Sequence, residues 1–267
     1  MSLTSTRCSL LAAALLALPA AARAQYATTN AQVLQGWYFY DPTVQEDTKG
    51  GAMSTVTLNH FDSWKYGDNF AFVDLYLGQF RDGTNSHLYS ELHPRLFINR
   101  LLGTKGNVLG IFRDAGLAGE LNIGYGFQAW LAGLGGDFAV PFGTLSLNVY
   151  YKYTALQIPA LAVRQYNNTW QVSPSWVIPF SIREVPFLFQ GFVDVNGVKK
   201  VTDDKQGLEV MAQPQLLVDV LGPFGGPKDK ILVGIEWYLH YHSDNKNLGA
   251  PSNLISAPQV MVQWTLH

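Results

Sequence analysis

The segment Asn69–Leu77 contains the side chains best suited to binding a small polar ring compound. Its residues alternate between two faces, as in a β-strand, and one face carries Phe70, Phe72, Asp74 and Tyr76. Aromatic rings offer flat surfaces on which a planar base can stack, and a carboxylate can accept hydrogen bonds from sugar hydroxyls. We predict that this face lines the lumen of a barrel. Ordinary packing inside a narrow barrel is the alternative.

The next predicted strand carries four polar side chains on one face, namely Tyr89, Glu91, His93 and Arg95. At the usual strand rise, Glu91 and Arg95 lie about 13 Å apart along that face, so they cannot pair with each other. We therefore expect each of them to have a partner on another strand. Such charges either hold the shape of a barrel from within or set the selectivity of a pore.

A further strand, Leu145–Tyr153, has one apolar face and one polar face. Its odd positions are apolar or aromatic, whereas its even positions are Ser146, Asn148, Tyr150 and Lys152. This alternation of period two is typical of a β-strand that separates two different environments.

The run from His242 to Asn245 contains the residue types of a Ser-His-Asn lipid hydrolase, and an outer-membrane phospholipase is also a barrel. Catalysis of that kind needs the His and the Ser within hydrogen-bond reach. His242 and Ser243 are adjacent and would point to opposite faces of a strand, so we predict a strand that runs into a loop. His240 and His242 share a face, but no third ligand is evident, and we predict no metal site.

The same alternation recurs along the whole chain and predicts about twelve strands of about ten residues, the length that a transmembrane strand requires. The predicted strands are Gln32–Tyr40, Met53–Asp62, Asn69–Gly78, His87–Asn99, Leu117–Gly126, Phe127–Val140, Gly143–Thr154, Gln165–Ile178, Pro186–Asn196, Gly207–Val220, Lys230–His242 and Ser256–His267. Pro174 and Pro214 fall inside predicted strands, where a proline removes a ladder donor, so we predict a bulge at each.

The N-terminal residues 1–24 have the organisation of a secretory signal peptide. Arg7 precedes the apolar stretch Leu10–Leu18, and the Ala22–Ala24 segment has the small-x-small pattern of a cleavage site. The apolar stretch is shorter than the roughly 20 residues that a membrane-spanning helix needs. We therefore expect residues 1–24 to be removed on export and residues 25–267 to form one barrel.

Composition supports a membrane barrel. Aromatic residues make up 13% of the chain and charged residues only 14%, well below the roughly 25% charged residues of a typical soluble domain. The only cysteine, Cys8, lies in the predicted signal peptide, which excludes disulfides from the mature chain. The mature chain loses Arg7 and Arg23, so it has 16 basic and 20 acidic residues and a net charge of −4, which indicates no nucleic-acid partner.

Three segments, Gly67–Asp74, Glu91–Leu96 and Ser146–Tyr153, resemble the Tsx-like family of nucleoside-specific channel-forming outer-membrane proteins. The resemblance implies a monomeric twelve-stranded barrel whose narrow channel passes nucleosides and deoxynucleosides, using aromatic and ionisable residues. The lumen positions that it implies are Phe70, Phe72, Asp74, Glu91, Arg95, Asn148, Tyr150 and Lys152, and the strand pattern adds Tyr76. The terminal His267 departs from the aromatic last residue that is usual for outer-membrane proteins.

The sequence thus predicts an all-β transmembrane barrel in the outer membrane of a Gram-negative cell. We expect a passive channel for nucleosides or similar small polar ring solutes, with no catalysis and no cofactor, surrounded by outer-membrane lipid. Two alternatives stay open: a barrel that hydrolyses or transfers lipid acyl chains, and a structural or receptor barrel with a closed lumen.

Overall fold

The computed structural model describes residues 24–39, 51–80, 82–158 and 163–266. The predicted signal peptide, apart from its last residue, and the terminal His267 lie outside these ranges. The strands are β1 (Tyr26–Gly36), β2 (Met53–Trp64), β3 (Gly67–Leu77), β4 (Ser86–Phe97), β5 (Phe112–Gly124), β6 (Phe127–Phe138), β7 (Thr144–Ile158), β8 (Val163–Ile182), β9 (Val185–Lys199), β10 (Gln206–Ala212), β11 (Gln215–Asp219), β12 (Ile231–His242) and β13 (Leu254–Thr265).

These strands form one closed antiparallel β-barrel. Except for β10 and β11, each strand pairs with its neighbours in the chain, and β13 closes the ring by pairing with both β1 and β12. β10 and β11 each pair with β9 and β12, so together they occupy one place in the wall. The 13-stranded sheet, in which two strands share one place, therefore has twelve strand positions, and the predicted fold is confirmed.

The two predicted bulges were wrong. The pairing register of β8 with β7 and with β9 is the same on both sides of Pro174. At Pro214 the strand is interrupted, yet β10 and β11 keep one register against both neighbours. Gly191 makes this possible, because a Cβ there would lie 2.9 Å from the Pro214 Cα. A bulge does occur in β5, between Phe112 and Asp114. Strand β1 begins at Tyr26, six residues before the predicted start.

The connections divide the barrel into two ends. Residues 24 and 266, which bound the described part of the chain, lie at one end of the barrel, here called the terminal end, and the opposite end is called the distal end. Two-residue turns at residues 65–66 and 183–184 join strands at the terminal end, and a short α-helix, Ile98–Leu102, lies there too. The turn at residues 125–126 joins β5 to β6 at the distal end, where Gly126 adopts a φ of 64° that favours glycine.

The outer face of the barrel is apolar and the inner face is mixed. Large apolar side chains exposed on alternate positions include Val56, Leu58, Leu117, Trp130, Leu134, Val149, Trp170, Leu216, Ile235, Trp237, Val260 and Val262. A closed barrel with such an outer face is typical of a protein that crosses a lipid bilayer by its strands. Among the described residues, no helix is long and apolar enough to cross a membrane.

Candidate channel lumen

Asp74 lies on the inner face of β3, as the alternation predicted. Its Oδ1 accepts a hydrogen bond of 2.5 Å from the Thr57 hydroxyl on β2, and its Oδ2 accepts one of 2.9 Å from the Tyr76 hydroxyl. All three side chains are buried. The carboxylate is thus held by two hydroxyl donors and cannot rotate freely.

Aromatic side chains form a continuous strip on the inner face of β3, β4 and β6. We call the set Phe70, Phe72, Tyr89 and Phe127 the aromatic strip. Ring centroids are 5.9 Å apart for Phe70 and Phe72, 6.0 Å for Phe72 and Tyr89, and 6.4 Å for Tyr89 and Phe127. The strip therefore leads along the barrel wall to the distal end, where Phe127 begins β6.

Glu91 and His93 lie beside the aromatic strip. His93 is 5.6 Å from Phe70 between ring centroids, and its Nε2 lies 2.6 Å from Glu91 Oε2. The Tyr89 hydroxyl donates a hydrogen bond to Glu91 Oε1. We expected Glu91 to find its partner on another strand, but these partners lie on β4 itself. Side chains two residues apart share a face and, when they are long, can reach each other.

Arg95 does pair with other strands, as predicted. Its Nε and Nη2 donate hydrogen bonds of 2.8 Å to the two carboxylate oxygens of Asp68 on β3. Its Nη1 donates a hydrogen bond of 2.9 Å to Asp137 on β6, and Asp137 also accepts one of 2.6 Å from Ser146. The guanidinium therefore joins three strands through charge-assisted bonds inside the barrel.

The predicted residues of β7 also face inward. Lys152 donates hydrogen bonds to Gln171 on β8 at 2.8 Å and to Asn196 on β9 at 3.2 Å. Asn148 and Tyr150 are buried, and the Asn148 Oδ1 and the Tyr150 hydroxyl have no hydrogen-bond partner among the residues that the structure describes. All nine predicted lumen residues thus lie on the inner face, but they do not converge on one point.

Several inward residues were not among the nine predicted lumen residues. Glu120 on β5 lies 3.3 Å from His93 Nδ1 and accepts a 3.3 Å hydrogen bond from Gln171 on β8. Glu236 on β12 accepts hydrogen bonds of 2.6 Å from Gln215 and from Gln259. The alternation within the predicted strand Leu117–Gly126 already placed Glu120 on one face, but it gave no way to tell which strand that residue would meet.

A small recess opens between β7, β8, β9, β10 and β12 on the distal side of Lys152. Its cavity volume is about 60 Å³. Glu209 and His242 lie on its wall, and Glu209 Oε1 is 2.8 Å from His240 Nε2. This volume is well below the roughly 300 Å³ of a typical small-molecule pocket. Around this recess the lumen side chains pack against one another.

Apolar clusters fill the other side of the lumen. One cluster near the distal end consists of Phe39, Met53, Tyr76, Phe80, Tyr238, Ile255 and Ala257. A second consists of Leu34, Leu217, Leu232 and Met261 on the inner faces of β1, β11, β12 and β13. The nine predicted lumen residues thus lie on β3, β4 and β7, whereas Glu209, Glu236 and His240 lie inside the barrel on β10 and β12.

The run from His242 to Asn245 forms the end of β12 and the start of a distal loop, as predicted. The Ser243 Oγ accepts a hydrogen bond from the Leu208 backbone N–H at 3.1 Å, and His242 Nδ1 accepts one from the Asp244 N–H at 3.2 Å. Burial raises the pKa of the Asp244 carboxyl, but hydrogen bonds from Thr202 and Asn247 outweigh it and hold that pKa below its usual value. Asp244 thus fastens one distal loop to another through Thr202.

Hydrogen bonds to an aspartate also stabilise the distal loop between β3 and β4. The Thr84 hydroxyl donates a 2.6 Å hydrogen bond to Asp82 Oδ1, and His87 Nε2 lies 3.1 Å from Asp82 Oδ2. Burial tends to raise the pKa of Asp82, yet these bonds outweigh it and lower the pKa below its usual value. His87 is in turn stacked between Phe80 and Tyr125, with ring centroids 4.2 and 4.3 Å away.

No known protein family and no curated protein matches this chain by sequence. Three solved structures show a distant likeness, and each covers about nine-tenths of the chain. A KdgM porin has a TM-score of 0.42 and 9% identity over 91% of this chain and all of its own. Pseudomonas aeruginosa OccK5 (OpdH) has a TM-score of 0.33 and 8% identity over 92% of this chain and 99% of its own. Pseudomonas aeruginosa OccK10 (OpdN) has a TM-score of 0.35 and 10% identity over 90% of this chain and 98% of its own.

Proposed function

We propose that this protein is a passive outer-membrane channel for small polar ring solutes, with nucleosides as the preferred class. The single observation that carries the proposal is the aromatic strip with carboxylates beside it inside a closed barrel. Asp74 and Glu91 lie on the same inner faces of β3 and β4 as the rings. Weak contacts with several such groups in succession let a solute enter and leave without an energy source.

Nucleosides fit this arrangement because they combine a planar base with a hydroxylated sugar. The base would stack on the rings of the aromatic strip, at about 1–3 kcal/mol per ring contact. The sugar hydroxyls would donate hydrogen bonds to Asp74 or Glu91, as ribose does to the acidic residue of dinucleotide sites. The resemblance of three segments to the Tsx-like family supports the same solute class. The packing of lumen side chains around the recess fits a narrow channel.

The test is uptake of labelled nucleosides by liposomes that contain the refolded barrel. We expect saturable uptake that falls in Phe72→Leu and in Asp74→Ala, because these changes remove a stacking ring and a hydroxyl acceptor. Phe189→Leu is the matched control, since Phe189 is exposed on the outer face and should leave uptake unchanged. Uptake that does not saturate, or that is equal for nucleosides and simple sugars, contradicts the nucleoside preference.

A closed structural barrel is the second candidate, and the packed lumen is the observation that favours it. Planar-bilayer recordings distinguish the two. The channel should give discrete conductance steps that nucleosides reduce as they occupy the lumen. Membranes that stay silent with and without nucleosides would instead support the closed barrel.

A further inference from the structure

Glu91, His93 and Glu120 bring three potential metal ligands together on the inner wall of β4 and β5. One ligand atom from each residue lies within 4.8 Å of the others. The imidazole is between the two carboxylates, with Nε2 2.6 Å from Glu91 Oε2 and Nδ1 3.3 Å from Glu120 Oε2. Metal–ligand bonds of about 2.0–2.2 Å hold such atoms about 3–4 Å apart. Because the two carboxylates face different imidazole nitrogens, one of them must swing toward the nitrogen that binds the ion.

The Oε1 atom of each glutamate already accepts a hydrogen bond from a neighbouring side chain. The Tyr89 hydroxyl donates to Glu91 Oε1, and Asn122 Nδ2 donates to Glu120 Oε1 at 2.9 Å. The Oε2 atoms are left to face His93. This is the arrangement expected of metal-binding carboxylates, whose second oxygens are oriented by neighbouring hydrogen bonds.

Within the described ranges of the chain, two buried polar atoms beside the cluster have no hydrogen-bond partner. Asn122 is 4% exposed, its amide nitrogen contacts Glu120, and its Oδ1 is unpartnered. The Tyr150 hydroxyl is also unpartnered, and it lies within electrostatic range of Glu120. Buried polar groups are rarely left unsatisfied. A hydrated cation held by the cluster would supply the missing donors through its bound water.

The charge of the region also favours a cation. Asp194, which accepts a hydrogen bond from Ser173, lies within electrostatic range of both Glu91 and Glu120. The His93 side chain is 19% exposed toward the lumen, so an ion that enters the barrel can reach it. The Glu120 side chain is by contrast only 2% exposed.

We propose that Glu91, His93 and Glu120 bind one divalent first-row transition metal ion, of which Zn²⁺ is the representative. One imidazole nitrogen and one oxygen from each carboxylate form the protein ligands, and the remaining position faces the lumen. Imidazole with carboxylates suits Zn²⁺, whereas Ca²⁺ and Mg²⁺ prefer oxygen ligands alone. The metal would lie next to Phe70, on the aromatic strip.

The test is direct Zn²⁺ binding to the refolded, tag-free chain in detergent, measured by competition with a fluorescent metal indicator. We expect one Zn²⁺ per chain. Removal of an orienting residue outside the ligands commonly weakens metal binding about 10- to 100-fold, so loss of a ligand in His93→Gln or Glu120→Gln should weaken it at least tenfold. Asn122→Ala should weaken it less. The matched control is His240→Gln, which changes the same residue type in a different inward cluster and should leave affinity within about twofold.

Three outcomes would overturn the site. The first is a wild-type chain that takes up no Zn²⁺. The second is His93→Gln binding as tightly as the wild type, and the third is His240→Gln losing the ion instead. Glu91→Gln provides a second ligand variant in case His93→Gln does not fold, with folding checked by heat-dependent gel migration. Because no solute flux is measured, the result does not depend on whether the barrel is a nucleoside channel.

Discussion

Replacing Arg95 by methionine should destabilise the barrel strongly. The guanidinium forms two 2.8 Å hydrogen bonds to Asp68 and one of 2.9 Å to Asp137, and the Arg95 side chain is 12% exposed. Methionine keeps most of the apolar stem but removes the cation from Asp68 and leaves Asp137 with only the more distant, half-exposed Arg113. Breaking a buried ion pair from one side costs about 3–5 kcal/mol, so the folded-to-unfolded ratio should fall roughly a thousandfold.

The measurement is urea unfolding of the barrel in lipid vesicles, followed by tryptophan fluorescence. With a slope of about 2 kcal/mol per molar urea, a loss of about 4 kcal/mol lowers the midpoint by about 2 M. Arg113→Met is the matched control. Arg113 is 52% exposed and lies 3.6 Å from Asp137, so its loss should cost less than about 1 kcal/mol.

The cause of the loss can be isolated by a second change. Adding Asp68→Asn to Arg95→Met removes one of the uncompensated charges, so part of the lost stability should return. Arg95→Lys should fall between the wild type and Arg95→Met, because an ammonium group cannot donate in the two-pronged geometry. An Arg95→Met barrel within about 1 kcal/mol of the wild type would refute the view that this arginine neutralises the two aspartates.

Three further predictions concern other parts of the wall. Gly133→Ala should lower the free energy of unfolding in urea by about 1–3 kcal/mol, because the added Cβ would overlap the backbone of the neighbouring strand. Gly119→Ala is the control, since a Cβ there has ordinary contact distances and should be tolerated. Leu134→Arg should cost about 2–4 kcal/mol in vesicles, because Leu134 is 65% exposed on the lipid-facing surface, and little loss would contradict that orientation. Burial raises the pKa of Asp244, but hydrogen bonds from Thr202 and Asn247 outweigh it and lower that pKa, so the stability difference between wild type and Asp244→Asn should be full above pH 4 and shrink as the pH falls below it. A difference that stays constant as the pH falls contradicts this.

The alternation of residue types was enough to predict the strands and the faces of most side chains. Asp74 and Lys152 were expected on the inner face because a charge on the lipid side of a barrel is costly, and both lie there. The number of strand positions followed from the spacing of turns. These features are local, so they can be inferred from short segments of sequence.

Contacts between strands could not be inferred in the same way. The pairing of Arg95 with Asp137 depends on the shear and curvature of the closed sheet, which no short segment encodes. The apolar cluster around Tyr238 also joins loops and strands that are far apart in the chain. Pro214 was expected to shift the register, but the missing side chain of Gly191 on the facing strand leaves room for it.

The pairing of β1 with β13 has a consequence for how the barrel forms. Gln32 and Gln263 lie 231 residues apart in the chain, and their side chains share a 2.9 Å hydrogen bond inside the lumen. The entropy lost in closing so long a loop grows only slowly with its length, by about 0.6 kcal/mol per doubling, so the thermodynamic cost is modest. The kinetic cost is larger, because contacts between distant residues form slowly. The pairing of β1 with β13 should therefore be a late step in folding. Until it forms, both strands expose unpaired edges that can pair with another chain.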